Sequence, residues 1–334
     1  MDGTGNFGRQ ARLGTAVLAL QHTALDLAAG DSRLHEGRGE KAEAAKMLER
    51  TLDVAPTDQA VANAKRLATL FTDVGDAAGK RRALERGLSK KSDDAELRER
   101  LRAVYEAEKA YPELARHTEE DARAAKETPD RVRLLRAAAD IHSQKLSDAG
   151  AAAKLLAEAS ELVPNDRELL LVLCDAYSAS GRAKEAVEVL QKIVDSFGGR
   201  RAKELAPIHH RLAKAYLAEG DKTKALAELD SAFKLDPGSV AVLRDLGTLS
   251  LELSEAEPSQ KDAYLDRAAK TFKALLMQRL DDSSPITKGE VFYYLGETHH
   301  KQGDDKKAIQ MLERALDTDK NFEKAKTFLA KLKG

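Results

Sequence analysis

Residues 213–237 read AKAYLAEGDKTKALAELDSAFKLDP, and the spacing within this stretch recurs along the chain. A small residue is followed after three positions by a Tyr or His. Gly comes four positions after that ring residue, Ala five positions after the Gly, and Leu four positions after the Ala. The clearest copies are Cys174, Tyr177, Gly181, Ala186, Leu190; Ala213, Tyr216, Gly220, Ala225, Leu229; and Gly296, His299, Gly303, Ala308, Leu312. Such repetition predicts an array of similar structural units.

Each copy is predicted to form two antiparallel helices. The Gly supplies the left-handed backbone that ends a first helix, and Pro56, Pro164 and Pro237 stop second helices. Helices that cross at close range need small residues at the contact. These small residues are Ala138, Ala213, Gly247 and Gly296 on first helices, and Ala152, Ala225 and Ala308 on second helices. The predicted fold class is therefore all-α.

Composition narrows the classes of partner. The chain has 334 residues, of which 55 are Lys or Arg and 56 are Asp or Glu, so its formal charge of -1 gives no net field to attract nucleic acid or an anionic membrane. We expect neither as a partner. Stacked repeats contact only their neighbours, so this length does not require several domains.

Cysteine use and the start of the chain predict a cytoplasmic location. Cys174 is the one cysteine, so no internal disulfide can form, and lone thiols are more usual where thiols stay reduced. Residues 1–10 lack a basic segment followed by an apolar core, and no stretch reaches the length of a membrane span. Removal of an earlier leader stays compatible with this sequence.

The chain divides by pattern into four parts. They are a flexible lead at 1–12, a degenerate first hairpin at 13–60, a repeat array at 61–322 and a C-terminal capping helix at 323–334. In the first hairpin the pattern predicts a helix over Leu13–Ala29 and a second from Glu40. Later hairpins are expected to begin near 61, 95, 131, Arg167, Ala206, Val240 and Gly289, giving about eight in all.

This arrangement resembles the tetratricopeptide repeat family, whose signature places small, aromatic, Gly, Ala and Pro residues at these separations. The match is strong over 166–319, fair over 61–165 and weak before that. The Trp common early in the family's first helix is replaced by Leu170, His209, Leu243 and Phe292. The resemblance implies an α-solenoid of helical hairpins that forms a right-handed superhelix.

Repeat spacing departs from the family's 34 residues in the second half of the chain. Ala186 to Ala225 is 39 residues, Ala225 to Ala268 is 43, and Ala268 to Ala308 is 40. Extra residues fall near 197–205, 254–264 and 280–288. Insertions in repeats tend to lie on one surface, so these stretches either carry specificity or only lengthen helices.

The resemblance also implies a concave groove, lined by first helices, where peptides or partner helices lie. The groove positions carried over are Glu168, Leu171, Asp175, Ser178, His210, Lys214, Leu217, Arg244, Thr248, Leu251, Glu290, Tyr293, Glu297 and His300. The predicted binding residues among them are His210, Lys214, Arg244, Thr248, Tyr293, Glu297 and His300. Tyr293, Arg244 and His210 are the expected anchors, because aromatic and arginine residues concentrate interface energy. The alternative is that all are ordinary solvated helix residues.

Some members of the family hold a C-terminal carboxylate with Lys, Asn and Arg on consecutive first helices. Here the corresponding positions include Leu171, Asp175, Asp245 and Glu290, so no three successive repeats present that clamp. The sequence therefore disfavours an adaptor for acidic peptide tails.

Candidate metal and thiol sites have simpler structural interpretations. Neighbouring residues on a helix point about 100° apart, so neither His209–His210 nor His299–His300 can chelate one ion alone. His299 takes the packing position of an aromatic residue, and Cys174 takes the small packing position. We expect buried or half-buried packing roles for them, with no metal and no cofactor.

Two glycine-containing stretches are weak candidates for anion binding. Residues 75–80 are one residue short of a phosphate-binding loop and follow a helix instead of a strand. Residues 197–201 read FGGRR and fit a linker with exposed arginines better than an anion cradle.

The sequence predicts a non-catalytic scaffold that binds a peptide or partner protein in its groove. No enclosed cavity of the kind that catalysis prefers is expected from a solenoid. Two alternatives stay open. The chain could be the repeat arm of a larger enzyme or of a secretion or assembly machine, or it could self-assemble into a homo-oligomer through an apolar face of the first hairpin.

Overall fold

The computed structural model describes residue 23, residues 26–200 and residues 202–334. All regular secondary structure in these ranges is helical, as predicted. The predicted lead at 1–12 and most of the predicted helix Leu13–Ala29 lie outside the described residues. The chain divides into two compact units, Met1–Leu162 and Val163–Gly334.

Eight helices follow one another in the described part of the first unit. The first, α1, is described over 26–37. The others are α2 (Lys41–Glu49), α3 (Thr57–Val74), α4 (Ala77–Lys90), α5 (Ala95–Ala107), α6 (Tyr111–Ala124), α7 (Thr128–Gln144) and α8 (Ala149–Leu162). Each described helix packs against the next from α2 to α8, so the unit is a stack of hairpins.

Over residues 163–200 and 202–334, the second unit has four more hairpins and a final helix. They are α9 (Arg167–Ala179) with α10 (Ala183–Asp195), α11 (Ala206–Glu219) with α12 (Lys222–Leu235), α13 (Val240–Ala256) with α14 (Lys261–Leu276), α15 (Lys288–Lys301) with α16 (Asp305–Thr318), and α17 (Glu323–Lys333). Short 3₁₀ turns at Lys203–Leu205 and Pro258–Gln260 precede α11 and α14. The observed starts at Arg167, Ala206 and Val240 match the predicted ones.

The turns within the hairpins share a recurring local arrangement. At the end of α11, Gly220 has a φ of +84°, and Asp221 then accepts a hydrogen bond from the backbone N–H of Lys224 at 2.9 Å. The third hairpin lacks this Gly, and Lys109 takes the left-handed conformation there with a φ of 56°. Left-handed backbone is needed to reverse the chain after a helix, so the geometry is kept even where the residue type changes.

Small residues lie where the helices of a hairpin cross, as predicted. Ala213 on α11 and Ala225 on α12 are fully buried. Gly247 on α13 has no room for a side chain, because a Cβ there would come within 2.7 Å of the Phe272 ring. Cys174 occupies the same position on α9, and its thiol lies 3.8 Å from the carbonyl oxygen of Ala186.

Three predicted helix limits differ from the structure, and one of them is the start of the fourth hairpin, at Thr128 instead of near 131. Helix α1 continues to residue 37, beyond Ala29, and α3 begins at Thr57 instead of near 61. The first turn of α3 is mostly exposed, and burial begins at Ala60. Because an exposed polar turn carries no apolar period, hydrophobic spacing alone missed it. The division into lead, first hairpin, array and cap stays a prediction.

The three insertions take different forms. Residues 196–200 and 277–287 lie in connections between hairpins, whereas the second insertion lengthens α13 to 17 residues and α14 to 16. None of the helices in the described ranges is long and apolar enough to cross a membrane.

Candidate binding surface on the first helices of the second unit

The seven predicted binding residues all lie on first helices of the second unit, and we call them the first-helix surface. His210 and Lys214 are on α11, Arg244 and Thr248 are on α13, and Tyr293, Glu297 and His300 are on α15. Each is exposed or half-buried. The structure separates them into a polar group around Asp245, an aromatic group near the C-terminal helix, and Lys214, which is exposed.

Asp245 joins two of the predicted residues. Its carboxylate lies 2.6 Å from Nε2 of His210 and accepts a hydrogen bond of 2.7 Å from Nε of Arg244. Burial would raise the pKa of Asp245, but the hydrogen bonds from His210 and Arg244 outweigh it and hold that pKa below its ordinary value. The carboxylate therefore stays charged and fixes both side chains.

Arg244 has a further contact that orders the connection before α15. Its Nη1 donates to the backbone carbonyl of Pro285 at 3.1 Å, so Arg244 joins α13 to the third insertion. The Thr248 hydroxyl donates to the backbone carbonyl of Arg244 at 3.0 Å, within its own helix. Thr248 is thus less available to a partner than its position in the sequence suggested.

Tyr293 is the centre of the aromatic group. Its ring centroid lies 5.3 Å from that of Phe322, 5.6 Å from that of Tyr294 and 6.2 Å from that of Phe328. Burial, followed by the negative charge of Glu297, raises the pKa of Tyr293. The phenol is therefore neutral at physiological pH and offers a ring face and a hydroxyl.

Glu297 and His300 border this aromatic group. Lys301 forms ion pairs with Glu297 at 3.6 Å and with Glu255 at the end of α13. His300 lies 2.6 Å from Asp305 through Nδ1, and its ring meets the Phe328 ring edge-on at 5.4 Å. Phe322 and Phe328 were not among the predicted groove residues, yet their rings extend the surface of α15.

One predicted groove residue is in the core. Leu251 is 5% exposed and packs in a cluster with Leu265 and Phe272 of α14. The prediction that Leu251 faces a groove is wrong, because the longer α13 continues alongside the longer α14 and its last turns are buried there. Leu217, predicted on the same basis, is exposed.

The paired histidines make separate contacts. Nδ1 of His209 lies 2.6 Å from Glu228 on α12, whereas His210 binds Asp245 on α13. His299 is buried, and burial lowers its pKa. Within the described ranges, no group of three or more His, Cys, Asp or Glu residues is arranged to hold a metal ion.

Family models match the chain in three places. Models described as tetratricopeptide repeat match residues 144–206, 206–249 and 293–326. The chain belongs to the tetratricopeptide repeat family. The hairpins within the matched residues are tetratricopeptide repeats, and the resemblance inferred from the sequence is confirmed.

The chain is also similar to longer proteins. It is 25% identical over 181 residues to "Protein O-mannosyl-transferase TMTC1" of Homo sapiens, which covers 54% of this chain and 19% of that relative. The chain therefore spans about a fifth of the curated relative that it matches.

The chain is similar to solved structures, and the first of the following two shows the same fold. "Structure of Naa15/Naa10 bound to HypK-THB" is 16% identical, covers 91% of this chain and 44% of that chain, and has a TM-score of 0.62. "Crystal structure of YrrB: a TPR protein with an unusual peptide-binding site" is 20% identical, covers 57% of this chain and 88% of that one, and has a TM-score of 0.43.

Proposed function

We propose that this tetratricopeptide repeat protein is a non-catalytic scaffold whose first-helix surface binds a peptide or a partner protein. The observation that carries the proposal is the arrangement of three successive first helices, α11, α13 and α15, each with charged or aromatic side chains that are exposed or half-buried. Repeats stacked in this way present one extended surface instead of an enclosed pocket.

Fixed side chains make this surface suitable for binding. Arg244 is held by Asp245 and by the carbonyl of Pro285, and Tyr293 is held by neighbouring rings. A side chain that is already ordered loses less conformational entropy when a partner binds, and Tyr and Arg are enriched among residues that dominate binding energy. Lys214 and Leu217 add an exposed charge and an exposed apolar group on α11.

The proposal can be tested by affinity capture with the full chain, followed by calorimetric measurement of each captured partner. Lys214→Glu and Tyr293→Ala are each expected to weaken binding by about 1–2 kcal/mol while the circular dichroism spectrum stays helical. Lys184→Glu on α10 is the matched control, since Lys184 is exposed on a second helix. Equal affinity in all three variants would show that the partner binds elsewhere.

Membership of a larger assembly is a second proposal. It rests on the similarity to TMTC1, of which the match covers 19%, because repeat segments of this kind also occur as parts of longer chains. Co-purification of the full-length gene product at its natural expression level, followed by sizing, would test it. A product no larger than the chain described here, migrating alone, would contradict it.

Self-association is a third proposal, and it rests on the first unit. Leu27 and Leu34 lie seven positions apart on α1 and are 64% and 61% exposed. Residues seven apart share one side of a helix, so the two side chains form an apolar stripe. Light scattering over a concentration range tests it, and a constant monomer mass would rule it out.

A further inference from the structure

A cleft of about 400 Å³ lies between the start of α15 and the turn that joins α16 to α17. Three aromatic rings and three carboxylates line it, with one amide and one ammonium group. The rings are Tyr293, Tyr294 and Phe322; the carboxylates are Glu290, Asp319 and Glu323; the others are Asn321 and Lys324. We call this the C-terminal cleft.

The aromatic side chains of the C-terminal cleft are held in place by contacts between rings. Tyr294 stacks on the buried ring of Phe272 with the ring centroids 5.3 Å apart and the planes 7° apart. Tyr293 meets Tyr294 edge-on at 70°, and its ring centroid lies 5.3 Å from that of Phe322. Because these rings support one another, a ligand would meet a preformed aromatic wall.

The carboxylates are positioned by helix-end contacts that each use one oxygen. Glu290 accepts a hydrogen bond from the backbone N–H of Thr287 through Oε2 at 2.8 Å, in the capping box of α15. Asp319 accepts one from the N–H of Asn321 through Oδ1 at 2.9 Å, and Glu323 pairs with Lys326 through Oε1 at 2.7 Å. Within residues 26–200 and 202–334, the hydrogen bonds and ion pairs of these three carboxylates use the same single oxygen in each case, so the second oxygen can accept from a ligand.

The charge in the C-terminal cleft is negative. Three carboxylates and one ammonium group, that of Lys324, line the cleft, and Lys326 pairs with Glu323 at 2.7 Å. The three carboxylates therefore outnumber the two ammonium groups. Asp319 adjoins the C-terminal end of α16, whereas Glu290 and Glu323 lie in the first turns of α15 and α17, so the helix dipoles contribute with both signs. A cation between the rings and the carboxylates would be attracted by both, because the faces of aromatic rings are negative.

We propose that the C-terminal cleft binds the guanidinium group of an arginine side chain in a peptide partner. The guanidinium would stack on the Tyr293 ring and donate hydrogen bonds to Asp319 and Glu323. Arginine fits better than lysine, since its planar group stacks on rings and donates to two oxygens at once. This proposal rests on the scaffold function and names the partner class as a basic peptide.

The chain itself contains the same combination of contacts. The Cζ of Arg182 lies 4.6 Å from the centroid of the Tyr177 ring, while its Nε donates to Glu185 at 2.8 Å. One arginine thus stacks on a tyrosine and pairs with a carboxylate within a single hairpin. A guanidinium supplied by a partner could make equivalent contacts in the C-terminal cleft.

The test uses the full chain with ¹³C-labelled tyrosine and the blocked peptide acetyl-Gly-Ser-Arg-Ser-Gly-amide. Tyr293→Phe assigns the Tyr293 ring signal. The arginine peptide is expected to shift this signal saturably, the lysine analogue more weakly, and the citrulline and glutamate analogues not at all. Citrulline keeps the shape of arginine without its charge, so it separates charge recognition from shape.

Variants locate the binding site. Asp319→Asn and Glu323→Gln are each expected to weaken arginine-peptide binding by about threefold to tenfold, and Lys324→Gln to strengthen it by a similar factor. Asp319→Asn retains an oxygen that can accept the Asn321 N–H. Glu188→Gln is the matched control, because Glu188 is exposed on α10 and its loss removes the same charge far from the cleft in sequence.

The outcomes distinguish this proposal from the scaffold function. A Tyr293 signal that the arginine peptide leaves unchanged, or that citrulline shifts equally, would overturn the arginine site. A captured partner that is weakened by Lys214→Glu but not by Asp319→Asn would support the scaffold function and overturn the C-terminal cleft as its contact. Loss of arginine binding in Glu188→Gln as well would show that only overall charge matters, and would also overturn it.

Discussion

Replacing Gly247 by alanine is expected to destabilise the second unit, although alanine is the better helix former. A Cβ at this position would lie 2.7 Å from two ring atoms of Phe272 and 3.1 Å from a third. Phe272 is fully buried, and its ring stacks on Tyr294. The ring would have to move by about 0.7 Å to reach 3.4 Å, where ordinary contact begins, and close packing leaves no space for it.

Two opposing effects set the size of the change in the free energy of unfolding. Alanine in place of glycine inside a helix gains about 1 kcal/mol, whereas overpacking a buried contact costs about 1–3 kcal/mol. The Gly247 contact belongs at the upper end of that cost, because the obstacle is a fixed ring and not the end of a flexible side chain. We therefore expect a net loss of about 1–2 kcal/mol in the free energy of unfolding.

Urea unfolding followed by far-UV circular dichroism measures this loss, and hydrogen exchange at α13 and α14 amides assigns it to the affected hairpin. The matched control is Gly289→Ala in α15, where the nearest atom to the new Cβ, the carbonyl oxygen of Ala315, would be 3.6 Å away. That contact is ordinary, so the control is expected to keep or slightly raise stability. Phe272→Leu combined with Gly247→Ala should cost less than the two single changes together.

A Gly247→Ala variant as stable as the wild type would refute this prediction. Equal stability changes in Gly247→Ala and Gly289→Ala would refute it as well. Either result would mean that the Phe272 ring can move freely despite its burial.

Two further predictions concern buried ionisable groups. Asp245→Asn should lower stability by about 1–3 kcal/mol near neutral pH, because His210 and Arg244 lose their charged acceptor. The pKa of Asp245 is lowered in the folded state, so this contribution is present above the ordinary carboxyl pKa and is lost as pH falls through the folded value. Melting temperatures of wild type and variant should converge on acidification, and a constant difference would refute the assignment. Burial raises the pKa of Cys174 from 9.0 to about 12, so a thiol reagent at mildly alkaline pH should modify the unfolded chain and not the native one. The stabilising effect of the protonated Cys174 thiol is complete below pH 9.0 and is lost as pH rises towards about 12. Rapid stoichiometric labelling of the native protein would contradict the burial of Cys174.

The hairpins could be predicted from the sequence because their signals are local. Gly220 and Asp221 mark the turn after α11 by their residue types, and Ala213 and Ala225 mark the crossing of two helices by their size. None of these signals requires knowledge of distant residues. The start of α3 was missed because it lacks such a local signal: its exposed first turn carries no apolar period.

The binding surface was less predictable because it depends on distant contacts. His210 and Asp245 are 35 positions apart and meet only after α11 and α13 are packed. Leu251 was placed by alignment to a repeat of standard length, but the longer α13 and α14 bury it. The ring contact between Phe322 and Tyr293 likewise depends on where α17 packs, and the hydrophobic period of α17 alone does not show this.

The turn described at Asp221 also bears on how the chain folds. Asp76, Asp148 and Asp304 likewise accept a hydrogen bond from a backbone N–H three residues ahead, so each of these second helices is initiated by its own short segment. Contacts between residues close in sequence form quickly, and a chain made of them has a low contact order. Nucleation can therefore begin in any of several hairpins and spread to its neighbours, giving parallel folding routes instead of one obligatory order.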